Sequence, residues 1–180
     1  MRFATLAIGS LFVLAAASTQ QRPIDAAASS AQFSVKHIWV ERVTGTVPIL
    51  EGSVTLVPDS VIPVAATAVL DATRIHTDEP DRDRALESSD FFDVARFPHW
   101  TFASTKIVPR DATEFEMDGD LTVHGAAQPE KLSVIASGTP AHPTYRATGT
   151  IDRHAFGMTV TRLDPTIGGT VDITLLIALK

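Results

Sequence analysis

Between Thr113 and Gly125 the chain reads TEFEMDGDLTVHG, and the character of its side chains alternates along the stretch. Phe115, Met117, Gly119, Leu121 and Val123 fall on one face; Glu114, Glu116, Asp118, Asp120, Thr122 and His124 fall on the other. A period of two belongs to a β-strand, because a helix would scatter both sets around its axis. One dry and one wet face place such a strand in an antiparallel sheet covering a core on one side. The acidic residues then form a solvated face. Gly119 stands mid-strand on the dry face, where a glycine marks a bend, a bulge or the close approach of another group.

The same alternation recurs elsewhere. AQFSVKHIWV sets Phe33, Val35, His37 and Trp39 on one side, and VDITLLIAL gathers Val171, Ile173, Leu175, Ile177 and Leu179. Further strands are expected over 43–57, 64–76, 99–108, 131–138 and 144–153, separated by turn signals such as Val57-Pro58-Asp59-Ser60, Gly138-Thr139-Pro140 and Asp164-Pro165. That makes about eight strands, an all-β chain that forms a sandwich or a closed barrel. An eight-stranded barrel either fills with side chains or holds one small ligand. The small inward residues Gly119 and Gly149 leave volume on the second view and permit curvature on the first. One segment departs from the pattern. Thr77 or Asp78 can cap a helix with Pro80 in its first turn, so a short helix is expected from Pro80 to about Ser88.

The first residues, MRFATLAIGSLFVLAAASTQ, carry one positive charge, a run of about a dozen apolar residues and the small triplet Ala15-Ala16-Ala17. This is the pattern of a secretory signal, expected over residues 1–17, with the domain over 18–180. The run is too short to span a bilayer. The mature chain is thus expected outside the cytoplasm, without a stable membrane span. Losing Arg2 takes the net charge from −6 to about −7, which disfavours nucleic acid and anionic membrane surfaces as partners. The chain has no cysteine, so an exported domain of this size relies on its core alone.

No catalytic pattern emerges. There is no cysteine nucleophile, nucleophile elbow, phosphate loop or dinucleotide glycine motif. His37, His76, His99, His124, His142 and His154 show no zinc-protease spacing, and no metal is expected. Asp118 and Asp120 share a wet face and could mimic an acid–base pair, but nothing in the sequence around them marks a catalytic site. The reading is a binding protein without cofactor.

The stretch RDRALESSDFFDVARFPHWTF, Arg82 to Phe102, holds five of the twelve aromatic residues. It resembles the signature segment of the YceI-like family, exported bacterial proteins that bind polyisoprenoids. Arg82-Asp83, Leu86, Ser88, Asp90-Phe91-Phe92-Asp93, Pro98 and Phe102 carry the likeness. Other landmarks follow in order: Phe33-x-Val35-x-His37, Gly45, Ile75-x-Thr77, Gly119-x-Leu121-Thr122-Val123-His124-Gly125 with Pro129, Arg153-x-x-Phe156-Gly157-Met158, and Ile167-Gly168. Ala85 departs from the pattern, where histidine is usual, and so does Thr46-Val47, where an aromatic commonly follows the glycine.

The resemblance implies a lipocalin-like eight-stranded antiparallel β-barrel with one or two short helices around an apolar tunnel. It implies a periplasmic, non-catalytic protein that takes isoprenoid quinones, polyprenyl chains or similar long-chain lipids. The candidate ligand-binding residues are Phe33, Val35, His37, Leu86, Phe91, Phe92, Trp100, Phe102, Phe115, Met117, Gly119, Leu121, Val123, Arg153, Phe156 and Met158. Met117 and Met158 suit a flexible chain because thioethers adapt in shape. Phe91 and Phe92 line the mouth or pin the helix to the barrel. Arg82 and Asp83 pair with each other or with Arg153, or an arginine meets the polar head. Two alternatives stand beside the carrier: an exported stress or structural domain with a filled interior, and a lipid-modifying enzyme using Asp83, Arg153 and His37. A homodimer through an exposed edge strand is a further expectation.

Overall fold

The computed structural model describes residues 18–37, 41–159 and 166–180. The expected signal over 1–17, Trp39 and the Asp164-Pro165 turn lie outside the described residues. Ten strand segments form one antiparallel sheet: β1 (Gln20–Pro23), β2 (Ser30–His37), β3 (Glu41–Thr46), β4 (Ile49–Leu56), β5 (Pro63–Asp71), β6 (His99–Pro109), β7 (Glu114–Val123), β8 (Ala126–Thr139), β9 (His142–Asp152) and β10 (Ile167–Ala178). A helix, α1 (Pro80–Glu87), lies between β5 and β6. Among the described residues, no helix is long and apolar enough to cross a membrane.

The ten segments are eight strands in effect. β1 pairs with β4 from Gln20↔Leu56 to Pro23↔Ser53, and β2 pairs with β3 from Gln32↔Thr46 to His37↔Glu41. These ladders belong to one long hairpin whose register slips by two residues in the middle. The Ile24 amide donating to Gly52 O (2.9 Å) and the Val47 amide donating to Ala31 O (3.1 Å) carry it across the slip. β4 pairs with β5 and β2 with β10, while Ile24 bridges Leu179, so the ladders run round into a closed ring. This is the expected eight-stranded barrel, with two of its strands bent.

Several boundaries differ from the sequence reading for local reasons. The strand expected over 64–76 ends at Asp71, whose carboxylate accepts the Thr73 amide and turns the chain into a 3-10 helix at Ala72–Arg74. The helix is capped by Glu79 rather than Thr77 or Asp78, through the Asp81 amide, with Pro80 at its first position. β8 starts at Ala126, ahead of the expected 131, because His124 and Gly125 both adopt positive φ (52° and 74°). A two-residue turn of that kind matches the twist of its flanking strands and joins Val123 directly to Ala126.

The dry and wet faces of β7 are as expected. Phe115, Met117 and Val123 are buried, while Glu116 pairs with Arg110 and Lys131 on the outside. Inward residues form two clusters. The larger holds Phe115, Met117, Leu132, Val134, Tyr145, Ala147, Val54 and Leu56, and the smaller holds Val123, Phe156 and Met158 near α1. The end of the barrel near α1 is called the mouth below, and the end near the β8–β9 turn is called the base.

Candidate functional site

A band of paired rings and glycines, called the waist, runs round the barrel wall. Ile173 of β10 faces Gly149 on one side and Phe33 on the other, and Phe33 in turn faces Gly45. The Phe33 ring lies over Gly45, where a Cβ would overlap it; the Phe102 ring lies over Gly119 in the same way. At Gly149 a Cβ would come to 2.9 Å of Leu132 Cδ2. Of the two views of Gly119 and Gly149, curvature without open volume is the one this geometry supports. The rings of Phe33 and Phe102, the Leu132 side chain and the carbonyl oxygens of His76, Ala103 and Lys131 occupy the space where the Cβ atoms would lie, and pairing a ring with a glycine lets the strand curve without a void.

Below the waist a cavity of about 70 Å³ remains, lined by residues that include Ile24, Val54, Phe102, Phe115, Met117 and Tyr145. Above it, Phe92 packs on Trp100 with ring centroids 4.6 Å apart, and both join Leu121 and Ile151 against Val123, Phe156 and Met158. Phe92, Trp100, Leu121, Val35, Leu86 and Phe91 are only partly buried. The mouth therefore keeps an apolar lining within reach of solvent. A wider cleft of about 410 Å³ borders the waist at Phe33 and Gly45 and is otherwise lined by Gln32, Ser34, Thr44, Thr46, Asp172 and Thr174, together with His76 and Asp78. Most of the side chains around it are polar, which suits a hydrocarbon chain less well than the lumen does.

The candidate residues thus separate into groups. Phe115, Met117 and Phe102 belong to the base cluster; Leu121, Val123, Phe92, Trp100, Phe156 and Met158 form the mouth cluster. Phe33 and Gly119 make the waist. Val35 pairs with Val43 and Val171 above it, and His37 pairs with Glu41 at the end of β2. Leu86 and Phe91 stay outside both clusters. The sequence reading missed Tyr145. Its place in the alternation of β9, on the same face as Ala147 and Gly149, was the available signal.

The charged half of the Arg82–Phe102 stretch works as a fastener. Asp83 Oδ1 accepts both the Thr77 amide (2.8 Å) and the Thr77 hydroxyl, while Arg82 donates to Thr77 Oγ1 (2.8 Å) and Thr77 O (2.7 Å). Arg82 and Asp83 meet on buried Thr77 rather than on each other. α1 has no buried residue of its own, so this contact does much to hold it. Asp83→Ala should raise amide exchange throughout α1 while leaving the barrel strands protected. Its cost is about 1–3 kcal/mol of local stability, the usual penalty for orphaning buried donors. Loss of protection across the whole ring would contradict that assignment.

His76 adds a pH dependence. Its ring contacts Asp83 (3.1 Å) and Asp78 (2.9 Å). The hydrogen bond to Asp83 raises the His76 pKa above 6.5, against a desolvation effect and with help from Asp78. At Asp83, desolvation pushes the carboxyl up, but hydrogen bonds from Thr77 and His76 prevail and hold it below 3.8. The His76 contribution is fully present below pH 6.5 and is lost as pH rises through its raised pKa. The Asp83 contribution is present above pH 3.8 and is lost as pH falls through its lowered pKa. Corrected for intrinsic rates, exchange in α1 should be slowest between those limits and quicken on both sides. A flat profile would disconnect His76 from the helix.

Arg153 is buried at 5% exposure. Its guanidinium donates to Gly168 O (3.0 Å), Ile167 O (3.1 Å) and Met158 O. It ties the 3-10 helix at Arg153–Phe156 to the start of β10, so a ligand head group would compete with three backbone carbonyls for it.

The YceI-like domain profile matches residues 23–179. A UPF0312 protein of Enterobacter sp. (strain 638) is 28% identical over 167 residues, covering 88% of this chain and 86% of the relative. A UPF0312 protein of Vibrio parahaemolyticus is 27% identical over 115 residues, and this match spans 64% of the chain and only 61% of that relative. Among solved structures, Burkholderia cenocepacia BcnA aligns with a TM-score of 0.72 at 19% identity, covering 87% of this chain and 99% of BcnA. A polyisoprenoid binding domain from Saccharophagus degradans, implicated in plant cell wall breakdown, aligns at 0.64 with 16% identity, covering 88% and 97%. At these identities the structures establish a shared fold. The barrel, its landmark residues and a profile match running almost from end to end agree: the chain belongs to the YceI-like domain family.

Proposed function

We propose that the protein is an exported, non-catalytic carrier that holds an isoprenoid lipid, a quinone or a polyprenyl chain, inside its barrel in the periplasm. The observation that carries this reading is the lumen: an apolar cavity below the waist and an apolar, partly exposed mouth above it. Family membership and the polyisoprenoid-binding neighbour support it. Burial of each methylene contributes about 0.8 kcal/mol, so a dry lumen retains a long chain with few polar contacts.

The cavity of about 70 Å³ is small beside ligand sites of roughly 300–1,000 Å³. Uptake of a long chain therefore requires the side chains around the cavity, Phe102 among them, to rearrange. The same filled waist favours a second reading, a structural domain with a closed core.

Mild purification from the native host, lipid extraction and mass spectrometry decide between the two, together with quinone titration of the stripped protein. A stoichiometric isoprenoid in the extract, with saturable uptake, is the expected result. A protein that comes out empty and takes up nothing is the filled domain.

A further inference from the structure

Tyr145 is the only tyrosine in the chain, and it stands in the wall of an otherwise almost wholly apolar cavity. It is 6% exposed, it packs edge-on against Phe115 at 6.3 Å, and its hydroxyl has no hydrogen-bond partner among the described residues. A phenol is a strong donor, and leaving one unpaired in a dry interior costs about 1–3 kcal/mol. Phenylalanine would fill this position and avoid that cost. Burial pushes the phenol pKa up to about 12, with Arg22 acting weakly the other way, so the hydroxyl keeps its proton at any physiological pH. Arg22 closes the base by donating to Ala141 O (2.7 Å) and Lys180 O (2.8 Å).

We infer that the Tyr145 hydroxyl is a polar anchor at the base of the lumen, donating to an oxygen on the ligand. The bound lipid then carries a carbonyl or hydroxyl oxygen at its inner end and enters head first, with its hydrocarbon chain running back through the waist toward the mouth. This rests on the carrier reading and adds a specificity rule to it. Oxygen-bearing isoprenoids are selected over pure hydrocarbons of the same length.

The test compares the intact protein with Tyr145→Phe, an isosteric change expected to leave the fold as stable or more so. Two probes are titrated: a ubiquinone with a short isoprenoid tail, and squalene, which is built of the same units without oxygen. The variant should bind the ubiquinone about three- to tenfold more weakly and squalene unchanged, the effect of one lost hydrogen bond. Equal losses for both probes, or no loss for either, overturn the anchor while the carrier reading stands. If the unaltered protein binds neither probe, the carrier reading fails and the anchor with it. Because Tyr145 is the sole tyrosine, its phenol vibrations in resonance Raman spectra give an independent readout. They should report a free hydroxyl in lipid-stripped protein and a donating one with the ubiquinone bound. A donating hydroxyl in the stripped protein overturns the inference.

Discussion

Arg153→Met should be the most damaging single substitution in the mouth, lowering stability by about 3–6 kcal/mol. The guanidinium is buried and serves the carbonyls of Met158, Ile167 and Gly168. Methionine replaces much of the volume but none of the donors, and each orphaned carbonyl costs about 1–3 kcal/mol. In a domain of this size a loss of that order moves the melting temperature down by roughly 10–20 °C. Thermal unfolding followed by circular dichroism measures it. A shift of only a degree or two would mean that the carbonyls find other partners and that the arginine is held in reserve for a ligand. Lysine should rescue only in part, because a single ammonium cannot reproduce the planar fork that reaches carbonyls on two sides.

The second large effect is a coupling between two residues at the waist. Gly119→Ala alone should destabilise by about 1–3 kcal/mol, since the new methyl collides with the Phe102 ring and comes to 2.7 Å of the Ala103 carbonyl oxygen. Phe102→Ala alone should cost about 2–4 kcal/mol by removing a ring from the core, and it should open the base cavity toward the mouth. Combined, the two should cost less than the sum of the single changes, because the clash with the ring is gone, while the close approach to the Ala103 carbonyl oxygen (2.7 Å) remains. The coupling then exceeds about 1 kcal/mol, as expected for residues in contact. Denaturant titration of the four proteins closes the cycle. Additive losses would show that the ring and the glycine are not a unit. On the carrier reading, Phe102→Ala should also accelerate quinone uptake, and unchanged kinetics would place the barrier to entry elsewhere.

Much of the architecture was legible in the sequence because period-two alternation is a direct record of which side chains face inward. β7 is the clearest case, with Phe115, Met117, Gly119, Leu121 and Val123 facing in as the pattern indicated. The slip that bends the first two strands was not legible, since Val47-Pro48 interrupts the pairing without interrupting the hydrophobic run. The waist was half legible. A glycine in mid-strand announces that something comes close, but only the three-dimensional register identifies Phe102 and Phe33 as what comes. The charges of Arg82 and Asp83 pointed to a brace and left its target open, because Thr77 is an uncharged residue in a loop. Tyr145 was invisible as a site because a lone tyrosine among inward residues looks like ordinary core until its hydroxyl is found to have no partner.

The long hairpin at the start of the chain has a consequence for how the molecule comes into being. Pro23 O accepts the Lys180 amide, Ile24 bridges Leu179, and β2 lies along β10. The seam of the ring thus joins residues more than a hundred positions apart, and it cannot be sealed until Leu179 and Lys180 have been synthesised. Pairings of such long range are slow to form. Until then the apolar inward residues of the earlier strands lack the strand that closes the ring over them. Closure of that seam would enclose any hydrocarbon already lying against those residues.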